Sequence, residues 1–386
     1  MVKRGVLTTA ALCALLAAAV GFRSSPAGHP TGPPITAAMD KIWAKYQSQL
    51  LGLCVGAVDG HVAIPKCYGK KAPGLHAKPD VHTLFRIESV SKTFAATLLA
   101  LRVHEHRVAL SDEVRTYVPV LAGQPLYPTS LTLLDLADHY SGLPKATPVV
   151  SSENEFLLRT GSCLSKASCR NDVPGHSYHY SNWAVSVLAN VLALHDGFQD
   201  GPAGPWEQDN QQAVTLPLGM SDTRSLQGWL FSDPADFTLH RAISGKETPK
   251  GHPYGNAGGG LYSSAHDMLL WLRYSMGLHG TPALLAANPL LYDDPTNQRA
   301  ANHANEKIGL VWDITSGNGG VTCVSKAGDG QGFHAYVIFV KGQRRGVFLL
   351  VNDDPSTSYR TMATELLNSL PPIPGVGSPQ CPVGQG

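Results

Sequence analysis

Runs that favour β-structure lie near the two ends of this chain, and helix-forming runs fill the length between them. Early on, LCVGAV and HVAIPKCYG flank Asp59-Gly60, a dipeptide suited to a tight hairpin turn. Late in the chain, HAYVIFV (334–340) and GVFLLVN (346–352) are β-rich, and Lys341-Gly342-Gln343 makes the bend between them. In the middle, the Ala- and Leu-rich stretch from Ser89 to about His106 is strongly helical, and helical pieces recur at 131–139, 181–195 and 264–275. Ser264 and Asp267 stand in capping-box spacing just after Gly258-Gly259-Gly260. Residues 37–51 carry Ile42, Trp43, Tyr46 and Leu50 on one helical side, and 358–370 reads as a closing helix stopped by Pro371-Pro372. This distribution predicts an α+β architecture: a sheet domain built from 37–86 and 305–386, with a mostly helical domain, 87–304, inserted into it.

The first residues read as an address. Lys3 and Arg4 precede the uncharged run Gly5–Phe22, and Ala17, Ala18 and Ala19 are small enough for a signal peptidase. The expectation is an export signal over 1–21, a flexible leader over 22–36, and a periplasmic or secreted protein without stable membrane insertion after cleavage. An uncleaved anchor is the alternative, because such a run just spans a bilayer. With 386 residues, 43% of them hydrophobic, the chain can bury a large core and is not intrinsically disordered. Lys and Arg total 30 against 29 acids, for a net charge of +1 without a basic stripe, so nucleic acid is not an expected partner.

Export makes disulfides available to the six cysteines beyond Cys13. Cys54 and Cys67 flank the hairpin turn and Cys163 and Cys169 close a short loop, which leaves Cys323 to pin Cys381, although six cysteines allow fifteen pairings. Among 16 histidines, His104 and His106 fall on different helix faces, and neither they nor His176 and His179 show a zinc spacing. No metal and no cofactor is expected; His179 and His334 are candidates for tuning the pH response of a site. Trp183, Trp229 and Trp271 read as core or cleft wall, and no Gly-rich phosphate loop follows a strand.

Three short motifs carry chemistry. Ser89-Val90-Ser91-Lys92 lies where the extended LFRIE becomes a helix, so Lys92 shares a face with Ser89 and the serine sits beside first-turn N–H groups. An activated nucleophile and a place for a developing oxyanion are what acyl transfer needs. About one S-x-x-K match is expected by chance in such a chain, and the strand-to-helix setting is what distinguishes Ser89. Tyr180-Ser181-Asn182 again precedes an apolar helical run; nearby lysines would favour the phenolate of Tyr180, and Asn182 could orient a substrate amide. Tyr254-Gly255-Asn256 is a rival match, disfavoured because a Gly-rich loop follows it. Lys326-Ala327-Gly328 leads into HAYVIFV; a lysine on an edge strand can hold a carboxylate, and glycine allows close backbone approach.

Together and in this order, the motifs resemble the active site of the penicillin-recognising serine enzymes. FRIESVSKTF is similar to the nucleophile region of class C β-lactamases, YSN fits their Tyr-x-Asn element, and KAGDGQGFHAYVIFV aligns with their Lys-Thr-Gly strand. LLDLADHYSGLP, LPLGMSDTR and GGGLYSSAHDMLLWL look closer to the branch of periplasmic D-Ala-D-Ala carboxypeptidases/endopeptidases. The resemblance implies a β-lactamase/transpeptidase-like fold, an antiparallel sheet flanked by helices. It implies Ser89 as the acylated nucleophile, Lys92 and Tyr180 as acid and base, and Asn182, Lys326 and Gly328 as substrate-binding residues. The backbone N–H groups of Ser89 and Asp329 would form the oxyanion hole. Ala327 departs from the usual threonine and removes a hydroxyl worth on the order of 1.5–3 kcal/mol to a bound carboxylate. Asp329 must point away from a site built for anions, or pair with a cation. The implied activity is opening of small-molecule β-lactams; a D-Ala-D-Ala peptidase, an esterase and a non-catalytic penicillin sensor are the alternatives.

Overall fold

The chain reverses at Asp59-Gly60 as that dipeptide predicts, with Gly60 at φ +63° between β1 (Gly52–Asp59) and β2 (Val62–Gly69). The computed structural model describes residues 34–118, 130–228, 253–301, 306–372 and 380–382. The expected export signal and Trp229 lie outside these residues. The remaining strands are β3 (Phe85–Arg86), β4 (Arg224–Ser225), β5 (Leu261–Ser263), β6 (Arg299–Ala300), β7 (Glu306–Ile308), β8 (Asp313–Ser316), β9 (Thr322–Asp329), β10 (His334–Val340) and β11 (Arg345–Val351). One sheet runs β2-β1-β11-β10-β9-β8-β7-β6 with every paired neighbour antiparallel, and a small sheet runs β3-β5-β4. β1 lies against β11, with Leu53 opposite Val351 and Val58 opposite Gly346, so the two ends of the chain do close one sheet.

The central strands are apolar on both faces because both faces are covered. Leu53, Val55 and Ala57 of β1, Tyr336, Ile338 and Val340 of β10, and Val347, Leu349 and Val351 of β11 pack with the helices Pro34–Tyr46 and Tyr359–Ser369. The alternate residues Cys54, Val58, Ala335, Val337, Phe339, Phe348 and Leu350 join the larger core with the helices Ser91–His104, Asn182–His195 and Ala265–Ser275. The period of two thus divides each strand between two helical layers.

The boundaries differ from expectation at two places. The first helix starts at Pro34, inside the stretch read as leader: proline has a preset helical φ, and Ile35, Ala38 and Met39 bury against the sheet. The large sheet includes β6 at Arg299–Ala300, ahead of residue 305. The cysteines pair as Cys54–Cys67, Cys163–Cys169 and Cys323–Cys381. No helix among the described residues is long and apolar enough to cross a membrane.

Candidate active site

Ser89 lies where β3 gives way to a helix. Ile87 N–H donates to Leu261 O at 3.0 Å, which anchors the end of β3. Glu88–Val90 then makes one 3-10 turn that leads into the Ser91–His104 helix. Glu88 adopts φ +48°, a conformation costing a residue with a side chain on the order of 1–2 kcal/mol. Its carboxyl group lies beside Gly259 and Gly330, 3.2 Å from Arg86 Nε, and burial pushes it up to about 7 against the pull of Arg86 and Lys92.

Two groups reach Ser89 Oγ: Lys92 Nζ at 2.9 Å and the Tyr180 hydroxyl at 2.6 Å. Lys92 Nζ also lies 2.6 Å from Asn182 Oδ1 and 2.5 Å from Gly258 O. Its side chain is enclosed, and burial, followed by the charge of Lys326, lowers its pKa well below the ordinary lysine value. As an ammonium Lys92 donates to all three oxygens; once deprotonated it would keep its two hydrogens on Asn182 Oδ1 and Gly258 O, which only accept, and present its lone pair to the Ser89 hydroxyl.

Tyr180 is held by the start of the next helix, where Ser181 Oγ accepts from Ala184 N–H at 2.9 Å and donates to Pro144 O at 2.7 Å. Lys92 and Lys326 stand 4.8 and 5.5 Å from the centre of its ring. These ammonium groups were grounds for expecting a phenolate. Burial dominates instead and pushes the Tyr180 hydroxyl above its usual pKa, so the resting group is a phenol that donates to Ser89. The rival Tyr254 turns its hydroxyl to Asp200 at 2.8 Å.

Lys326, Ala327 and Gly328 lie on β9, which is an interior strand rather than an edge. β8 pairs with it only as far as Ser325, and from Lys326 onward β9 instead borders the turn that carries Ser89. A Cβ at Gly328 would fall 2.3 Å from Ile87 O and 3.1 Å from Ser89 N, so only glycine permits this approach. Lys326 is buried, 3.6 Å from Asp313 Oδ1. The Asp329 carboxylate does pair with a cation, accepting from Arg360 at 2.7 Å and from the Tyr359 hydroxyl at 2.5 Å. Burial opposes its ionisation, but His334, Tyr359 and Arg360 outweigh burial and hold its pKa below the usual range. His334 bridges Asp329 and Asp354 at 3.5 and 3.0 Å.

Three neighbours of the site were not singled out from the sequence. His139, within LADHYSGLP, packs 4.5 Å from the Tyr180 ring centre, and its Nδ1 accepts from Ser181 N–H at 3.3 Å. Burial, with Lys326 and Lys92, keeps that imidazole neutral. Glu88 lay in plain view beside Ser89, whereas Arg360 carries no local signal. His104 and His106 are exposed, while His176 and His179 lean on Asp172 at 2.8 and 3.7 Å. Trp183 donates to Thr160 at 2.9 Å and Trp271 stacks on Phe94 at 3.8 Å, both inside the core.

The beta-lactamase family profile matches residues 35–370. The chain is 26% identical over 386 residues to the D-alanyl-D-alanine-carboxypeptidase/endopeptidase AmpH of Escherichia coli (strain K12), covering 94% of each protein. It is 24% identical over 368 residues to a beta-lactamase of Pseudomonas fluorescens, covering 84% of this chain and 94% of the relative. Among solved structures, a class C beta-lactamase superposes with a TM-score of 0.70 at 20% identity, over 88% of this chain and 96% of that one. The D-alanine carboxypeptidase AmpC from Burkholderia cenocepacia does so at 0.69 and 23% identity, over 87% and 98%. These likenesses speak to the fold.

Proposed function

Because the chain belongs to the beta-lactamase family and has the beta-lactamase/transpeptidase-like fold, we propose that it is a serine hydrolase that opens β-lactam amides through an ester on Ser89. The observation that carries this reading is the placement of Lys92 Nζ and the Tyr180 hydroxyl, 2.9 and 2.6 Å from Ser89 Oγ. Lys92 takes the Ser89 proton as Oγ bonds to the lactam carbonyl carbon, and the oxyanion accepts from the N–H groups of Ser89 and Asp329. The C–N bond then breaks, Tyr180 protonates the departing nitrogen, and Lys92 reprotonates Tyr180. The transient phenolate is stabilised by Lys92 and Lys326, the effect the lysines were expected to have. A water molecule next bonds to the ester carbonyl and gives one proton to the base, and Ser89 leaves with that proton. Asn182 Nδ2 orients the substrate amide, and Lys326 holds its carboxylate without help from a hydroxyl at Ala327. The three disulfides support an oxidising, exported location.

A second reading, cleavage of D-Ala-D-Ala peptides by the same residues, is favoured by the match to AmpH across 94% of both chains. Incubation with a penicillin and with a D-Ala-D-Ala peptide, followed by intact mass, proteolytic mapping and product analysis, tests both. A short-lived adduct on the peptide holding Ser89, with rapid lactam turnover, supports the first reading. A long-lived adduct there, with D-Ala release from the peptide, assigns the second. An adduct elsewhere, or none and no product, overturns both.

Two variants probe the supporting residues. Gly328→Ala brings a methyl against Ile87 O and forces β9 away from Ser89 N, so kcat should fall about 10²–10³-fold, the effect of losing an oxyanion donor. A change under about threefold would mean that the gap tolerates a methyl group. Lys326→Ala should raise KM for carboxylate-bearing substrates roughly ten- to hundredfold. It should also move the acid limb of kcat/KM to higher pH, because Lys326 helps to keep the Lys92 pKa low. An unchanged KM would contradict the carboxylate role.

A further inference from the structure

Three side chains from distant parts of the chain converge at the end of the small sheet away from Ser89. His82 precedes β3, Asp222 precedes β4, and His266 lies in the first turn of the Ala265–Ser275 helix after β5. One possible ligand atom from each lies within 4.8 Å of the other two. His82 Nδ1 is 2.8 Å from Asp222 Oδ2, and the two imidazole centres are 5.1 Å apart. We propose that His82, Asp222 and His266 bind a single divalent transition-metal ion of the zinc class, with water completing its coordination.

Two imidazoles and one carboxylate form a donor set that suits zinc, whereas calcium and magnesium ask for oxygen. Ligand atoms around tetrahedral zinc stand about 3.3 Å apart. The His82 and His266 side chains are 62% and 45% exposed, so both imidazoles are free to turn toward a common ion. The surroundings already orient the ligands. His266 Nδ1 meets Asp267 Oδ1 at 3.0 Å, the carboxylate–histidine arrangement that leaves Nε2 for a metal. The other oxygen of Asp267 accepts from Asp222 N–H and the Thr223 hydroxyl, each at 2.8 Å, so one buried carboxyl group holds both ligand-bearing segments. The Ser264 hydroxyl donates to Asp222 Oδ2 at 2.7 Å.

The charges compete. The helix that begins at Ala265 puts about half a positive charge near His266 and disfavours a cation there. Asp222, Asp80 and Asp267 each act on His82 in the sense that favours positive charge, with Lys71 3.7 Å from Asp80 as a partial counterweight. Bound there, the ion would join the approaches to β3 and β4 to the helix start, segments already linked by His266 N–H donating to Val81 O at 2.9 Å. Its effect would be on stability, and the chemistry at Ser89 does not need it.

The test uses the full chain, stripped with a chelator and titrated with zinc chloride by calorimetry, with Co²⁺ absorption reporting the geometry. One equivalent should bind and raise Tm. His82→Ala and His266→Ala should each weaken binding about tenfold or more, and their exposure lets both variants fold. His176→Ala/His179→Ala should leave binding unchanged. Absence of stoichiometric binding, binding undiminished in the His82→Ala/His266→Ala double variant, or loss confined to the His176→Ala/His179→Ala variant would overturn the proposal.

Discussion

Turnover should fall by on the order of a millionfold when Ser89 is replaced by alanine, while the fold survives. The size follows from the chemistry: without Oγ there is no ester, and Lys92 and Tyr180 are left facing each other with nothing to activate. Non-additive losses of this kind are expected where several groups serve one nucleophile. Survival of the fold follows from the surroundings. Ser89 is partly exposed, and the 3-10 turn is held by contacts that do not involve its side chain, including Ile87 N–H to Leu261 O and Leu261 N–H to Ser91 Oγ at 3.0 and 3.1 Å. Steady-state rates with a chromogenic lactam, intact-mass spectra and a melting curve read all three consequences. Residual turnover within about tenfold of the parent protein would show that another group carries the chemistry.

Lys92→Met should lower kcat by about 10²–10⁴-fold, the usual worth of a positioned general base, and leave KM nearly unchanged. Its stability effect has a sign that pH reveals. Burial holds the folded-state pKa of Lys92 below its ordinary 10.5. Below that pH the unfolded chain binds a proton that the folded protein refuses, and stability is lost as pH falls toward the depressed value. Methionine removes this penalty but leaves Asn182 Oδ1 and Gly258 O without their donor, a cost that does not depend on pH. The variant should therefore gain stability relative to the parent as pH is lowered from 10, by up to about 1.4 kcal/mol per pH unit. Denaturant melts of both proteins across this range measure the difference. A difference that is flat with pH would mean that Lys92 is protonated in the folded protein throughout.

Much of the architecture was legible because strong local patterns agree with the tertiary arrangement. The Asp59-Gly60 turn, the strands His334–Val340 and Arg345–Val351, and the capped start of the Ala265–Ser275 helix each follow from spacing and turn chemistry. The helix Glu153–Leu164 was missed: Gly161, Ser162 and Cys163 weaken its local signal, and it is stabilised by the Ser152 cap and by packing of Phe156 and Leu157. β6, β7 and β8 were missed because two to four residues are too few to display alternation. The pairing of Lys92 with Ser89 was readable from Ser-Val-Ser-Lys at a strand-to-helix junction, since one helical turn brings Lys92 to Ser89.

By itself, the sequence determined which residue types could meet: an amine one turn from a hydroxyl, a phenol at a helix start, and a lysine before a strand. Only the tertiary structure decided their state. Burial is a property of everything packed around a group, and it reversed the expected ionisation of Tyr180 and lowered the pKa of Lys92. The fold likewise brought the Tyr180 hydroxyl to Ser89 and that of Tyr254 to Asp200, turned Asp329 toward Arg360, and gathered His82, Asp222 and His266 from segments far apart in the chain. Side-chain spacing is a local property of the backbone, whereas solvent exclusion and long-range charge exist only once the chain is folded.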